Sequence, residues 1–97
     1  MKAPLPPDEK ERLAELRSLG VLDTPPAPHL DDLVAVAARV CGPPVSLVSL
    51  VDEHRQWFKA RHGRDASETP RDVAFCAHAI LGPGLLEVPD AREDDRF

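Results

Sequence analysis

Two residues with reactive side chains stand close together near the middle of the second half of the chain, Cys76 and His78, in the run ETPRDVAFCAHAIL. A thiol and an imidazole in proximity are the parts of a nucleophile–base dyad, and with further ligands they are the parts of a metal site. Each chemistry makes a demand on spacing. A dyad needs the imidazole within hydrogen-bond reach of sulfur. On a helix, residues i and i+2 project about 200° apart, so a helical segment turns Cys76 and His78 away from each other. Pairing Cys76 with the more distant His54 has no support in spacing. A zinc site needs about four ligands in pairs such as CxxC or HxxxH. Here one Cys-Ala-His triplet stands with His54 and His62 in neighbouring segments. No glycine-rich strand-to-helix loop is present to hold a phosphate. Arg61, Arg64 and Arg71 are interspersed with Asp65, Glu68 and Asp72, a mixed solvated surface and not a basic stripe for nucleic acid.

The elements that must position these residues can be read from punctuation and period. The 97 residues allow one domain, with a modest core. The formal charge of −5 argues against general affinity for nucleic acid or anionic lipid. Two cysteines that form no disulfide framework, a first stretch MKAPLPPDEKERL without an apolar run, and no run of about 20 apolar residues together predict a cytoplasmic chain outside the membrane. The 11 prolines cluster between periodic segments and serve as punctuation. Residues 1–7 are expected to form a mobile Pro-rich lead, followed by a single domain over 8–97.

Asp8 and Glu11 have capping-box spacing and predict a helix to about Leu19, with Leu13, Leu16 and Leu19 as its apolar stripe and Gly20 past its end. A second helix is expected from His29 to Cys41. Its positions Leu30, Leu33, Val34, Ala37, Val40 and Cys41 follow one helical period, which makes Cys41 a buried small hydrophobe. Val45–Val51 reads as a strand covered on both faces, and Gln56–Arg61 as its hairpin partner across a turn at Asp52–Arg55. Simple alternation points Trp57, Lys59 and Arg61 one way and Phe58 and Ala60 the other. The segment HGRDASETPR is expected to be loop. Asp72 then caps a short helix over Val73–Leu81, and Leu85–Val88 forms a third strand stopped by Pro89. Cys76 sits in the crowded short helix, where a packed thiol is the ordinary role.

Three stretches occur in an order that resembles the first two-thirds of a GAF domain. They are LRSLGVLDTPPAPHLDDLVAVAARVCGPPVSLVSLVDEHRQWFKARHG, then ETPRDVAFCAHAIL, then LLEVPDAREDDRF. The resemblance is to the subgroup found in bacterial sensor histidine kinases and diguanylate cyclases, and it covers Glu11 to Phe97. It implies an α+β fold in α/β/α layers: a GAF/PAS-like antiparallel sheet flanked by helices, here truncated after the third strand. It implies a non-catalytic sensory or regulatory module of signal transduction. Such a module binds a small molecule or mediates homodimerisation, and passes the signal to the output domain of a longer protein. The resemblance places Trp57, Phe75, Cys76 and His78 beside the ligand pocket, between the sheet and the short helix, with no catalytic residue, metal or cofactor. Bilin-binding relatives place Cys directly before His, whereas Ala77 intervenes here, and the sulfoxide-reducing relatives use a larger cysteine set. In this fold the strand order resembles 2-1-5-4-3, so strands four and five and the closing helix are missing, which leaves the first strand with an apolar edge. The rival readings are a cysteine-based redox enzyme acting through Cys76, or a fragment without a function of its own.

Overall fold

The computed structural model describes residues 2–95. Helix α1 spans Glu9–Leu19, α2 Pro28–Cys41 and α3 Phe75–Ala79; strands β1, β2 and β3 span Ser46–Val51, Arg55–His62 and Glu68–Pro70. The strands form one open antiparallel sheet in the order β1-β2-β3. The fold is therefore α+β, with helices on both sides of a three-stranded sheet.

Both long helices end at glycines in the left-handed conformation, Gly20 (φ 63°) and Gly42 (φ 79°), whose amides close back on Arg17 and Ala38 carbonyls. That is the stop expected when the chain must leave a helix without a Cβ penalty. The capping box of α1 does not form. Asp8 precedes the helix but its side chain makes no cap bond. Glu9, one position on, is instead drawn into ion pairs with Arg12 and Arg71.

Helix α2 lies on the sheet through Val34 and Ala38. Its apolar positions do not all share that face. Leu33, Val36 and Val40 are exposed, and so is Cys41, which corrects the expectation that it is buried. A helical period sums every apolar residue into one stripe, and here there are two stripes at different angles.

The expected hairpin forms, but its return strand is longer, taking in Arg55, expected in the turn, and His62; the Asp52 amide closes it on the Arg55 carbonyl at 2.8 Å. Its register has one irregularity. Val48 opposes Ala60, whereas Ser49 opposes Phe58, so Lys59 is an extra residue in β2. This bulge breaks simple alternation. Arg55, Trp57 and Ala60 share the face of Val48 and Leu50, while Gln56, Phe58 and Arg61 share the face of Leu47, Ser49 and Val51. The expected division of β2 is thus corrected beyond residue 59.

The third strand is not where the sequence predicts it. Leu85–Val88 is irregular, and Leu85 is fully exposed. The strand that pairs with β2 is Glu68–Pro70, inside the segment expected to be loop. Its Pro70 closes the strand, where a missing donor costs nothing. The helix expected over Val73–Leu81 is split into a single 3-10 turn, Arg71–Val73, and α3, with Ala74 extended between them. The lead is packed in part: Ala3 and Pro6 are buried, and Ala3 clusters with Ala74 and Ala77. Among the described residues no large side chain is fully buried, so this core is thin.

Candidate functional site

Three of the four residues singled out in the sequence meet on one turn. Phe75, Cys76 and His78 all belong to α3, where Phe75 is half-exposed and His78 is buried. Trp57 is not with them. It is buried on the other face of β2, toward α2. There it lines a cleft of about 380 Å³ with Thr24, Pro26, Asp31 and Lys59.

The Cys76 sulfur faces the sheet. Gln56 Nε2 donates to Cys76 Sγ at 3.1 Å and to Ser49 Oγ at 2.9 Å, and Ser49 Oγ lies 3.6 Å from the sulfur. Gln56 is itself buried. The triad ties the short helix α3 to both strands of the hairpin. Burying an amide is tolerated because its N–H groups have acceptors. Sequence reasoning passed over Gln56 and Ser49. The available signal was that both are polar residues at positions on the same face as Val51 and Phe58.

A second polar cluster holds the turn end of the sheet. Arg71 is buried and forms a two-pronged pair with Glu9 at 2.6 and 3.1 Å. It also donates to the carbonyls of Asp52 and Glu53. Arg12 binds the same Glu9 and donates to the Val51 carbonyl at 2.5 Å. With Arg71 the largest influence and Arg12 next among the attractive partners, the Glu9 carboxyl is held at about 2, well below its ordinary 4.5. Glu9, Glu53 and Arg71, with Ala3, Leu13 and His54, line a cavity of about 200 Å³ between the lead, α1 and the hairpin turn.

A third cluster joins the segments around β2. Arg55 reaches Asp23 at 2.8 and 3.0 Å, Asp52 at 3.2 Å and Glu68 at 3.1 Å. Asp23, in the left-handed region at φ 60°, is thereby kept below the usual carboxylate range by the Arg55 hydrogen bonds. Lys59, the bulge residue, donates to Thr24 Oγ1 and to the Pro25 carbonyl, both at 2.6 Å. The connector between α1 and α2 is thus bound to β2 twice.

Among the described residues no three His, Cys, Asp or Glu side chains are grouped to hold a metal ion. Among the described residues no helix is long and apolar enough to cross a membrane. The arrangement is a set of polar junctions that fix a short helix, a hairpin and a connector to one another.

The fold and these junctions define a small α+β domain. No family model matches the chain. The chain is similar to a cyclic di-GMP phosphodiesterase of Pseudomonas aeruginosa, at 43% identity over 94 residues. That match covers 97% of this chain and 16% of the phosphodiesterase, so the chain spans about a sixth of the length of that relative.

Proposed function

We propose that this chain is a non-catalytic regulatory module of cyclic di-GMP signalling, of GAF type, acting within or upon a larger protein. The observation that carries the reading is the similarity just described: 43% identity runs through nearly all of this chain yet occupies 16% of an enzyme named for cyclic di-GMP hydrolysis. The site chemistry supports the same reading. The Cys76 thiol is engaged by Gln56 and Ser49, the role of a packing junction between helix and sheet. In this reading a small molecule or a partner segment bound beside Phe75, Cys76 and His78 shifts α3 against the hairpin. The shift follows only if the two arrangements bind with different affinity. Trp57, across the sheet, reports the change and does not line the same pocket.

The test is a chimera in which this chain replaces the aligned 94 residues of the Pseudomonas enzyme, beside a deletion of those residues. Expected are phosphodiesterase rates and effector responses like those of the parent enzyme for the chimera, and altered ones for the deletion. Hydrolysis of cyclic di-GMP by this chain alone, or a chimera that behaves as the deletion does, would overturn the reading. Cys76→Ser separates the redox rival: a regulatory module keeps its fold and effect, while a thiol enzyme loses turnover.

A further inference from the structure

Arg71 has an edge that its polar cluster leaves unused. A guanidinium offers a carboxylate two forks, one made by Nη1 and Nη2 and one by Nε and Nη2. Glu9 fills the first, with Oε1 on Nη1 at 2.6 Å and Oε2 on Nη2 at 3.1 Å, and the Asp52 and Glu53 carbonyls share Nη1. Nε and the remaining hydrogen of Nη2 have no protein partner among the described residues. The charges are unequal as well. Arg12 and Arg71 share one Glu9 carboxylate, so the cluster holds one positive charge more than negative. The Glu9 carboxyl, held at about 2, shows the same surplus from the side of the acid. The neighbouring carboxylates are engaged elsewhere: Asp52 with Arg55, Glu53 with Arg17 and Asp72 with Lys2. The Glu53 and Asp72 side chains are more than half exposed, where water screens them, whereas Arg71 is buried. A buried cation with an unfilled fork favours a further anion.

Arg71 lines the cavity of about 200 Å³ beneath the lead, whose apolar walls come from Ala3, Leu5, Leu13 and Ala77. Pockets for drug-sized molecules run to about 300–1,000 Å³, so this one suits a smaller molecule and is too small for a cyclic dinucleotide. We propose that the cavity is a binding site for a small organic monocarboxylate with a short aliphatic tail. The carboxylate takes the free Nε–Nη2 fork of Arg71, and the tail lies on the walls supplied by the lead, α1 and α3. A single surplus charge matches a monoanion and not a dianion. The apolar walls match a hydrocarbon tail, which an inorganic anion lacks. Phe75, Cys76 and His78 do not line this cavity. The site is therefore separate from the one invoked above and stands without the regulatory reading.

Sodium isobutyrate is the probe, titrated at constant ionic strength into the isotope-labelled chain and followed by NMR. The readout is the Arg71 Nε–H resonance, assigned through bonds, together with the Ala3 and Ala77 amides on the cavity wall. The expected result is a saturable shift of all three. Isobutyramide, which keeps the tail and lacks the charge, and formate, which keeps the charge and lacks the tail, each bind about tenfold more weakly. Leu5 is 61% exposed, so Leu5→Asp changes the wall without disturbing the Arg71 pair. It weakens isobutyrate by about fivefold or more, while the remaining amide resonances stay as in wild type. An Arg71 resonance that stays in place overturns the proposal. So does equal affinity for isobutyramide, or a Leu5→Asp chain that binds as wild type does. Equal affinity for formate overturns it too and leaves an adventitious ion only.

Discussion

Replacing Glu9 by glutamine tests the polar cluster at the turn end of the sheet. The substitution keeps volume and one carbonyl acceptor but removes the charge and the second oxygen. Arg71, 7% exposed at its side chain, then keeps the Asp52 and Glu53 carbonyls and competes with Arg12 for one neutral amide oxygen in place of a carboxylate. Removing one member of a buried ion pair costs roughly 3–5 kcal/mol when nothing replaces it. Holding a carboxyl at about 2 instead of 4.5 sets a ceiling of about 3 kcal/mol on the charge-dependent part. Glu9 is 14% exposed and Arg71 keeps two acceptors, so the expected loss is about 2–3 kcal/mol. Typical domains have only about 5–15 kcal/mol in total. In urea, with a slope of about 1–1.5 kcal/mol per molar, the midpoint falls by about 2 M. The pH dependence has a definite sign. The folded carboxyl is depressed, so its contribution is complete above about 4.5 and is lost as pH falls toward 2. Wild type and Glu9→Gln therefore differ by a constant amount from pH 7 to 5 and converge below that. A loss under about 0.5 kcal/mol, or a gap that persists unchanged at pH 2, would refute the assignment of Glu9 as the counter-ion of Arg71.

Three other outcomes are expected. Gly63→Ala destabilises by at least about 2 kcal/mol in thermal or urea melts. Its φ is 78°, and an added Cβ would sit 2.0 Å from the Pro44 carbonyl oxygen; a melt like that of wild type counts against this close approach. Under native conditions a thiol reagent modifies exposed Cys41 well before Cys76, which faces Gln56, as peptide mass mapping will show; equal rates would mean that α3 does not hold its thiol against the sheet. Amide exchange is fast over residues 85–88 and slowest in the paired centre of β2, and protection at 85–88 matching that of β2 would contradict the observed strand order.

The parts of the fold that could be read from sequence were those marked by local chemistry. Gly20 and Gly42 end their helices because only a left-handed residue lets the chain turn there, and a glycine is visible in sequence. The hairpin was equally plain, from two apolar runs about a polar turn. The strand at Glu68–Pro70 was not, because three residues ending in proline carry no alternation; its place is set by the free edge of β2. Leu85–Val88 carried the apolar pattern of a strand, yet it pairs with no described strand. Of the site, Cys76 and His78 were found as residues, and both lie on the helical turn α3, the geometry on which the dyad was argued against. Their surroundings were not found. Gln56 and Ser49 come from a different part of the chain, and nothing in their spacing says that α3 folds back over the face they share. Trp57 was placed beside the same pocket by the resemblance alone, whereas its pairing with Leu50 sets it on the face opposite Gln56 and Ser49.

The extra residue in β2 makes chain length, and not only side-chain identity, a constraint on this hairpin. Up to Phe58 the strand follows one phase of alternation; from Ala60 it follows the opposite phase, and Lys59 absorbs the half-turn. Removing Lys59 would restore plain alternation, leaving Ala60 on the face of Trp57 and Arg61 on that of Phe58, and would take away the bonds that hold Thr24 and Pro25 to the strand. Side-chain replacements along Ala60–His62 leave that phase intact; what would invert it is loss of the bulge at unchanged chain length, which would pair Val48 with Lys59 and Leu47 with Ala60. Aligned hairpins are accordingly expected to accept a one-residue deletion at Lys59 with their outer faces unchanged, and to lose there the tie between β2 and the connector that precedes α2.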